Sequence, residues 1–117
     1  MRLAQDASAE AQARQFARSW SASEAIPPPV SSDIELVVAE LVSNAVRYGI
    51  APFDVELSHA GDVIRGEVSD GSRVAPTQNA TPDERGGFGL KIVAACTSRW
   101  GTDVVPTGKQ VWFEFSP

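Results

Sequence analysis

The clearest apolar pattern in the chain is Ile34, Val37, Val38, Leu41, Val42, Ala45 and Val46. This is helical spacing, and it covers more than half a helix circumference. It predicts a helix over residues 32–49, pressed against a core. Ser32 and Glu35 have the spacing of a capping box at its start. Gly49 stands where a helix end favours glycine. Earlier in the chain, Ala9, Ala13, Phe16 and Trp20 recur at helical spacing and predict a helix over residues 9–21. Its apolar stripe is narrow, with Arg14, Gln15 and Arg18 mostly off it. Such a stripe can dock on its own domain or pair with a second copy or a partner. Between the two helices, Pro27-Pro28-Pro29 cannot continue a helix and predicts an extended connector.

Beyond residue 52 the period changes from helical to alternating. Phe53, Val55 and Leu57 share one face of a predicted strand over residues 53–58. Ala60-Gly61-Asp62 reads as a turn. Residues 63–70 form its hairpin partner, with Ile64, Gly66 and Val68 on one side and Arg65, Glu67 and Ser69 on the other. If the alternation holds to its end, Asp70 falls on the apolar side. If the chain turns first, Asp70 is an ordinary turn aspartate in Ser-Asp-Gly-Ser. Residues 71–85 carry two prolines, a glycine and little that is apolar, which predicts a loop of about fifteen residues. Arg85-Gly-Gly-Phe-Gly-Leu-Lys then leads into a helix with Leu90, Val93, Ala94 and Thr97 on one face. The chain closes on a second hairpin, residues 100–105 and 109–115, around Pro106-Thr107-Gly108. Val111, Phe113 and Phe115 face one way; Gln110, Trp112 and Glu114 face the other. Two hairpins and three helices without strand–helix–strand alternation predict an α+β two-layer sandwich, a mostly antiparallel sheet covered on one face by helices.

Composition narrows the function. A chain of 117 residues, 43% hydrophobic and 21% charged, reads as a single domain over residues 1–117, with residues 1–7 as a flexible N-terminus. The net charge of -5 argues against nucleic acid. No apolar run approaches the roughly 20 residues that span a bilayer, and a signal-peptide core is missing. The single cysteine, Cys96, cannot form an internal disulfide, which fits a reducing, cytoplasmic setting. Among Ile92, Val93 and Ala95 it reads as a buried small hydrophobe. The single histidine, His59, reads as a solvated turn residue. One histidine and one cysteine are too few for a transition-metal site.

Four features carry chemistry. Glu40, Asn44 and Arg47 line one stripe of the 32–49 helix, spaced by four and then three. Alone, that stripe is the wet face of an amphipathic helix; in company it can hold a hard cation and order a nucleophile. Asp70 ends a strand and is followed by Gly71; a carboxylate there can accept from an exocyclic amine. The polar loop follows. Gly87 and Gly89 then open a helix whose N–H groups and dipole suit phosphate, with Arg85 and Lys91 beside them. No Walker or dinucleotide fingerprint occurs. Together these parts describe a purine-nucleotide site in which magnesium needs few protein ligands.

In that order and spacing the motifs resemble the GHKL ATPase/kinase superfamily, the Bergerat nucleotide fold of gyrase, histidine kinases and mismatch-repair ATPases. The resemblance runs over residues 13–115 and is strongest to the stand-alone anti-sigma-factor serine kinases. Glu40-Leu-Val-Ser-Asn44-Ala45 looks like the N-box, Asp70-Gly71 like the G1 box, and Gly87-Phe88-Gly89-Leu90 like the G2 box. The resemblance implies that Asn44 ligates Mg2+ and that Glu40 is the general base. It implies that Asp70 with Gly71 binds the adenine of ATP. Arg85, Gly87, Phe88, Gly89, Leu90 and Lys91 would surround the phosphates, and residues 71–86 would be the ATP lid. It further implies a sigma factor and an anti-anti-sigma (STAS-type) protein as partners, with a homodimer as a further option. A non-catalytic ATP-responsive switch or a stand-alone ATPase module is the alternative. Three positions depart from the family pattern. The G1 box reads Asp70-Gly-Ser-Arg-Val74 rather than Asp-x-Gly-x-Gly. Tyr48 stands where histidine is frequent. Gln110 stands near a place often held by an adenine-contacting threonine.

Overall fold

The computed structural model describes residues 1–73 and 87–117, with the backbone alone at 87–89. In chain order its elements are α1 (Ala9–Ser23), α2 (Val30–Tyr48), β1 (Asp54–Ala60), β2 (Val63–Asp70), α3 (Gly87–Cys96), β3 (Arg99–Val105) and β4 (Gly108–Phe115). The strands form one antiparallel sheet in the order β1-β2-β4-β3. Both predicted hairpins are present, and β2 and β4 join them. The helices lie on one face: α2 packs against α1, α3 and β2, while α1 reaches β1 and α3 reaches β3. The α+β two-layer arrangement is therefore the one expected. Most of the loop expected over 71–85, and the lid beyond Arg73, lie outside the described residues.

The core follows the two periodicities. Ile34, Val37, Val38, Leu41 and Val42 of α2 meet Val55, Ile64, Val68, Val111, Phe113 and Phe115 of the sheet, with Leu90 and Val93 of α3 closing one side. Burial of this apolar surface drives the two layers together. Gly66 lies opposite Phe113 in the ladder, and a Cβ there would stand 2.1 Å from the Phe113 ring, so the ring fills the space a side chain would need.

On the open face of the sheet, Trp112 lies between Arg65 and Arg99, whose guanidinium carbons are 4.8 and 5.9 Å from the ring centroid. Glu114 accepts from both arginines. The Arg99 hydrogen bond, with Arg65 in support and partial desolvation opposing, holds the Glu114 carboxyl below its ordinary value of 4.5.

Several boundaries differ from the expectation. Helix α2 begins at Val30, with Pro29 as its N-cap and no side-chain cap, so Ser32 and Glu35 lie within the helix and form no capping box. Proline suits a helix start because its missing N–H would have no partner there. For the same reason the Pro28-Pro29 stretch is a turn into α2 rather than an extended connector. Glu35 instead accepts from Arg18 at 2.6 Å and ties α1 to α2. In α1 the buried positions are Ala9, Ala13, Ala17 and Ser21, with Phe16 and Trp20 at the border. Small residues let α1 lie close on its own domain.

Residues 1–3, expected as part of a loose N-terminus, pair along the edge of β1. Leu3 donates to Phe53 O and Val55 donates to Met1 O, and the Leu3 side chain is buried. His59 is in β1 rather than a turn; it is exposed, as expected, and lies edge-on to Trp20 and 3.6 Å from Glu24. Cys96 is half-buried against the core, and its thiol is pushed up first by burial and then by Asp33. A raised thiol is a poor nucleophile.

Candidate nucleotide site at the end of α2

On α2 the polar stripe is not a wet face throughout. Glu40, Ser43 and Asn44 are half-buried, while Arg47 and Tyr48 are exposed. The Asn44 amide nitrogen is fully buried and has no hydrogen-bond partner among the described residues. Buried amides are normally paired, so this one has spare hydrogen-bonding capacity. Turning the amide exchanges nitrogen for oxygen at the same place, which would put an acceptor there, as a hard cation requires. Glu40 lies one turn before Asn44 on the same side and joins no ion pair with a described residue.

Five residues past Asn44, about 7.5 Å along the helix axis, α2 ends at Gly49. Its N–H donates to Ala45 O at 2.8 Å. The backbone there is extended, at φ -96° and ψ -167°, so glycine is not needed for a left-handed turn. It is needed for space. A Cβ on Gly49 would stand 2.7 Å from Asp70 Cγ and 2.8 Å from its Oδ2. The carboxylate of Asp70 therefore sits against the end of the helix that carries Asn44.

Asp70 is the last residue of β2, so the alternation does hold to the strand end, and it is 7% exposed. Its Oδ1 accepts from the Ser72 N–H at 2.7 Å. Its Oδ2 accepts from Lys109 Nζ at 2.8 Å. Gly71 N–H donates to Ile50 O, which fixes the chain as it leaves the strand. Sequence reasoning did not single out Lys109. The signal was available: counting back by twos from Phe115 through Phe113 and Val111 puts Lys109 on the core face. The ladder then sets it directly opposite Asp70.

Helix α3 begins at Gly87, so Gly87, Phe88, Gly89 and Leu90 form its first turn. The first four N–H groups of a helix have no intrahelical partner. Leu90 is fully buried, which leaves only its backbone to offer a ligand, and Lys91 is exposed. Arg85 and the Phe88 side chain lie outside what is described. The structure thus brings Asp70 and Gly71 to the α2 terminus and packs α3 on α2. Gln110, opposite Asp103 in the ladder, is on the open face of the sheet, away from Asp70. A groove of about 250 Å³ at the edge of β1, between Phe16 and Leu57, includes none of these residues.

Among the described residues no group of three or more His, Cys, Asp or Glu could hold a metal, and no helix is long and apolar enough to cross a membrane. An asparagine donor is compatible with Mg2+, which keeps several waters and is completed by phosphate oxygens. The model of the histidine kinase-like ATPase domain family matches residues 3–115. No curated protein matches the chain.

Proposed function

Because this chain belongs to the histidine kinase-like ATPase domain family, and so to the GHKL-type ATPases, we propose that its ATP-binding site serves a protein serine kinase of the anti-sigma-factor type, acting in the cytoplasm by partner switching. The observation that supports this reading best is the convergence at the end of α2. The buried Asp70 carboxylate touches Gly49, five residues past an asparagine whose buried amide nitrogen has no partner among the described residues.

Each residue has a role in this reading. Asp70 accepts from the exocyclic amine of adenine. The first-turn N–H groups of α3, with Arg85 and Lys91 beside them, hold phosphate oxygens. The Asn44 amide oxygen ligates Mg2+. When bound, ATP supplies the phosphoryl group and Mg2+ offsets its charge. Glu40 takes the proton from the attacking hydroxyl. That hydroxyl belongs to a serine on a partner of the STAS type, and the sigma factor is the second partner. Support for those partners is the motif resemblance.

A second reading is an ATP-responsive switch without transfer. It is favoured by Asp70-Gly-Ser-Arg-Val74, in which the Ser72 N–H turns back onto Asp70 where the family has a glycine. One experiment separates the two. ATP binding and phosphate transfer to a candidate STAS partner are measured for wild type and Glu40→Ala. The kinase reading expects both proteins to bind ATP within about threefold, with transfer lower in the variant by about a hundredfold or more. Binding without transfer by wild type leaves the switch. No binding of ATP by wild type removes both.

A further inference from the structure

Asp70 and Lys109 are both buried, directly opposite each other on the core face of β2 and β4, with Lys109 Nζ 2.8 Å from Asp70 Oδ2. A lysine is seldom buried whole. A buried ion pair is not an economical way to hold two strands, since apolar residues of the same size often do as well or better. The three contacts on Asp70 act on one thing, its orientation. Lys109 holds Oδ2, the Ser72 N–H holds Oδ1, and Gly49 lies against the carboxylate face. Lys109 is the one charged group within ion-pair distance of Asp70 among the described residues. Its neighbours from α2 and from the chain beyond β2 are the uncharged Gly49 and Ser72.

We infer that Lys109 is a positioning residue that sets which purine the site accepts, through Asp70. The inference rests on the reading of Asp70 as the base acceptor. A carboxylate is acceptor-only. It takes the N–H of a 6-amino purine and repels the oxygen of a 6-oxo purine. Two of its lone-pair positions are used by Ser72 and Lys109, which leaves the others for a base edge. Without Lys109 nothing holds Oδ2, and the carboxylate turns its acceptor edge away from position 6 of the base. A site whose acceptor is not fixed there no longer distinguishes the two bases.

The test is calorimetric binding of ATP and ITP, each with Mg2+, to the full chain as wild type, Lys109→Met and Lys109→Arg. ITP differs from ATP in the group at position 6. Wild type is expected to prefer ATP by about tenfold or more, since a site with a fixed acceptor rejects a ligand lacking the donor. Lys109→Met is expected to bring the two affinities within about threefold, and Lys109→Arg to restore the preference. Lys109→Leu, which likewise removes the donor, carries the same expectation as the Met variant if that variant does not fold. A purely structural lysine would weaken both nucleotides alike and leave their ratio unchanged. That result overturns the inference while leaving the ATP site intact. Tighter ATP binding by Lys109→Met also overturns it, because Lys109 would then be competing for Asp70. Failure of wild type to bind either nucleotide removes the ATP reading itself and the inference with it.

Discussion

Gly49 and Asp70 are in contact across the two layers: a Cβ at Gly49 would stand 2.7 Å from the Asp70 carboxyl carbon. The contact joins the end of α2 to the end of β2, and with them two motifs far apart in the chain. Nothing in either segment alone requires it. It arises because α2 packs on β2 and stops where the strand stops.

Gly49→Ala is therefore expected to displace Asp70. The added methyl meets the Asp70 side chain on one side and Ala45 O, at 2.6 Å, on the other. Neither is free to move, since Asp70 is buried and Ala45 is in α2. The expected outcome is a loss of about 1–3 kcal/mol of stability, read by denaturant unfolding, with ATP affinity lowered by about tenfold or more, equivalent to roughly 1.4 kcal/mol. Unchanged unfolding would show that the carboxylate rotates away at little cost.

Asn44→Ala should separate stability from binding. The amide it removes is buried, with no partner for its nitrogen among the described residues, and deleting an unsatisfied polar group costs little. The midpoint of thermal unfolding without ligand should stay the same or rise. The gain in ATP affinity on adding Mg2+, by contrast, should disappear. A variant that still binds ATP more tightly with Mg2+ would place the metal elsewhere.

The Arg65, Arg99 and Glu114 cluster gives a pH prediction away from the site. Arg99, with help from Arg65, lowers the carboxyl of Glu114 from its ordinary value of 4.5. A depressed folded-state value means that the unfolded chain binds the proton more readily. The stabilisation is present above about 4.5 and is lost as the pH falls through the lower folded-state value. Glu114→Gln should therefore melt below wild type at neutral pH, and the two curves should converge in acid. Because the cluster faces solvent, raised salt should also shrink the difference. A difference that persists unchanged at low pH would mean that Glu114 acts through packing on Trp112.

The chain by itself determined the local elements, because helix and strand periods are written in consecutive residues. Strand β2 falls within the predicted bounds, and the inward side of Asp70 followed from alternation once the strand was known to run to its end. The motif order Glu40, Asn44, Asp70, Gly87 and Gly89 pointed to the family, which the match over residues 3–115 then showed. Helix starts were read less well. Ser32 and Glu35 have capping-box spacing, but the helix begins at Val30, two residues before Ser32, with Pro29 as its N-cap, since a residue type can suit several positions of a first turn.

Only the tertiary structure decided how the pieces meet. The β2–β4 pairing joins the hairpins and sets Asp70 opposite Lys109. Residues 1–3 are held by the open edge of β1, and α1 docks on α2 through alanines. Gly49 had a local reading as a helix-ending glycine, yet its backbone is extended and its real constraint is a carboxylate from another strand. The physical reason is common to all of these. Periodicity says which side of an element is buried, but which partner fills that side depends on long-range contacts whose free energy exists only when both layers are assembled.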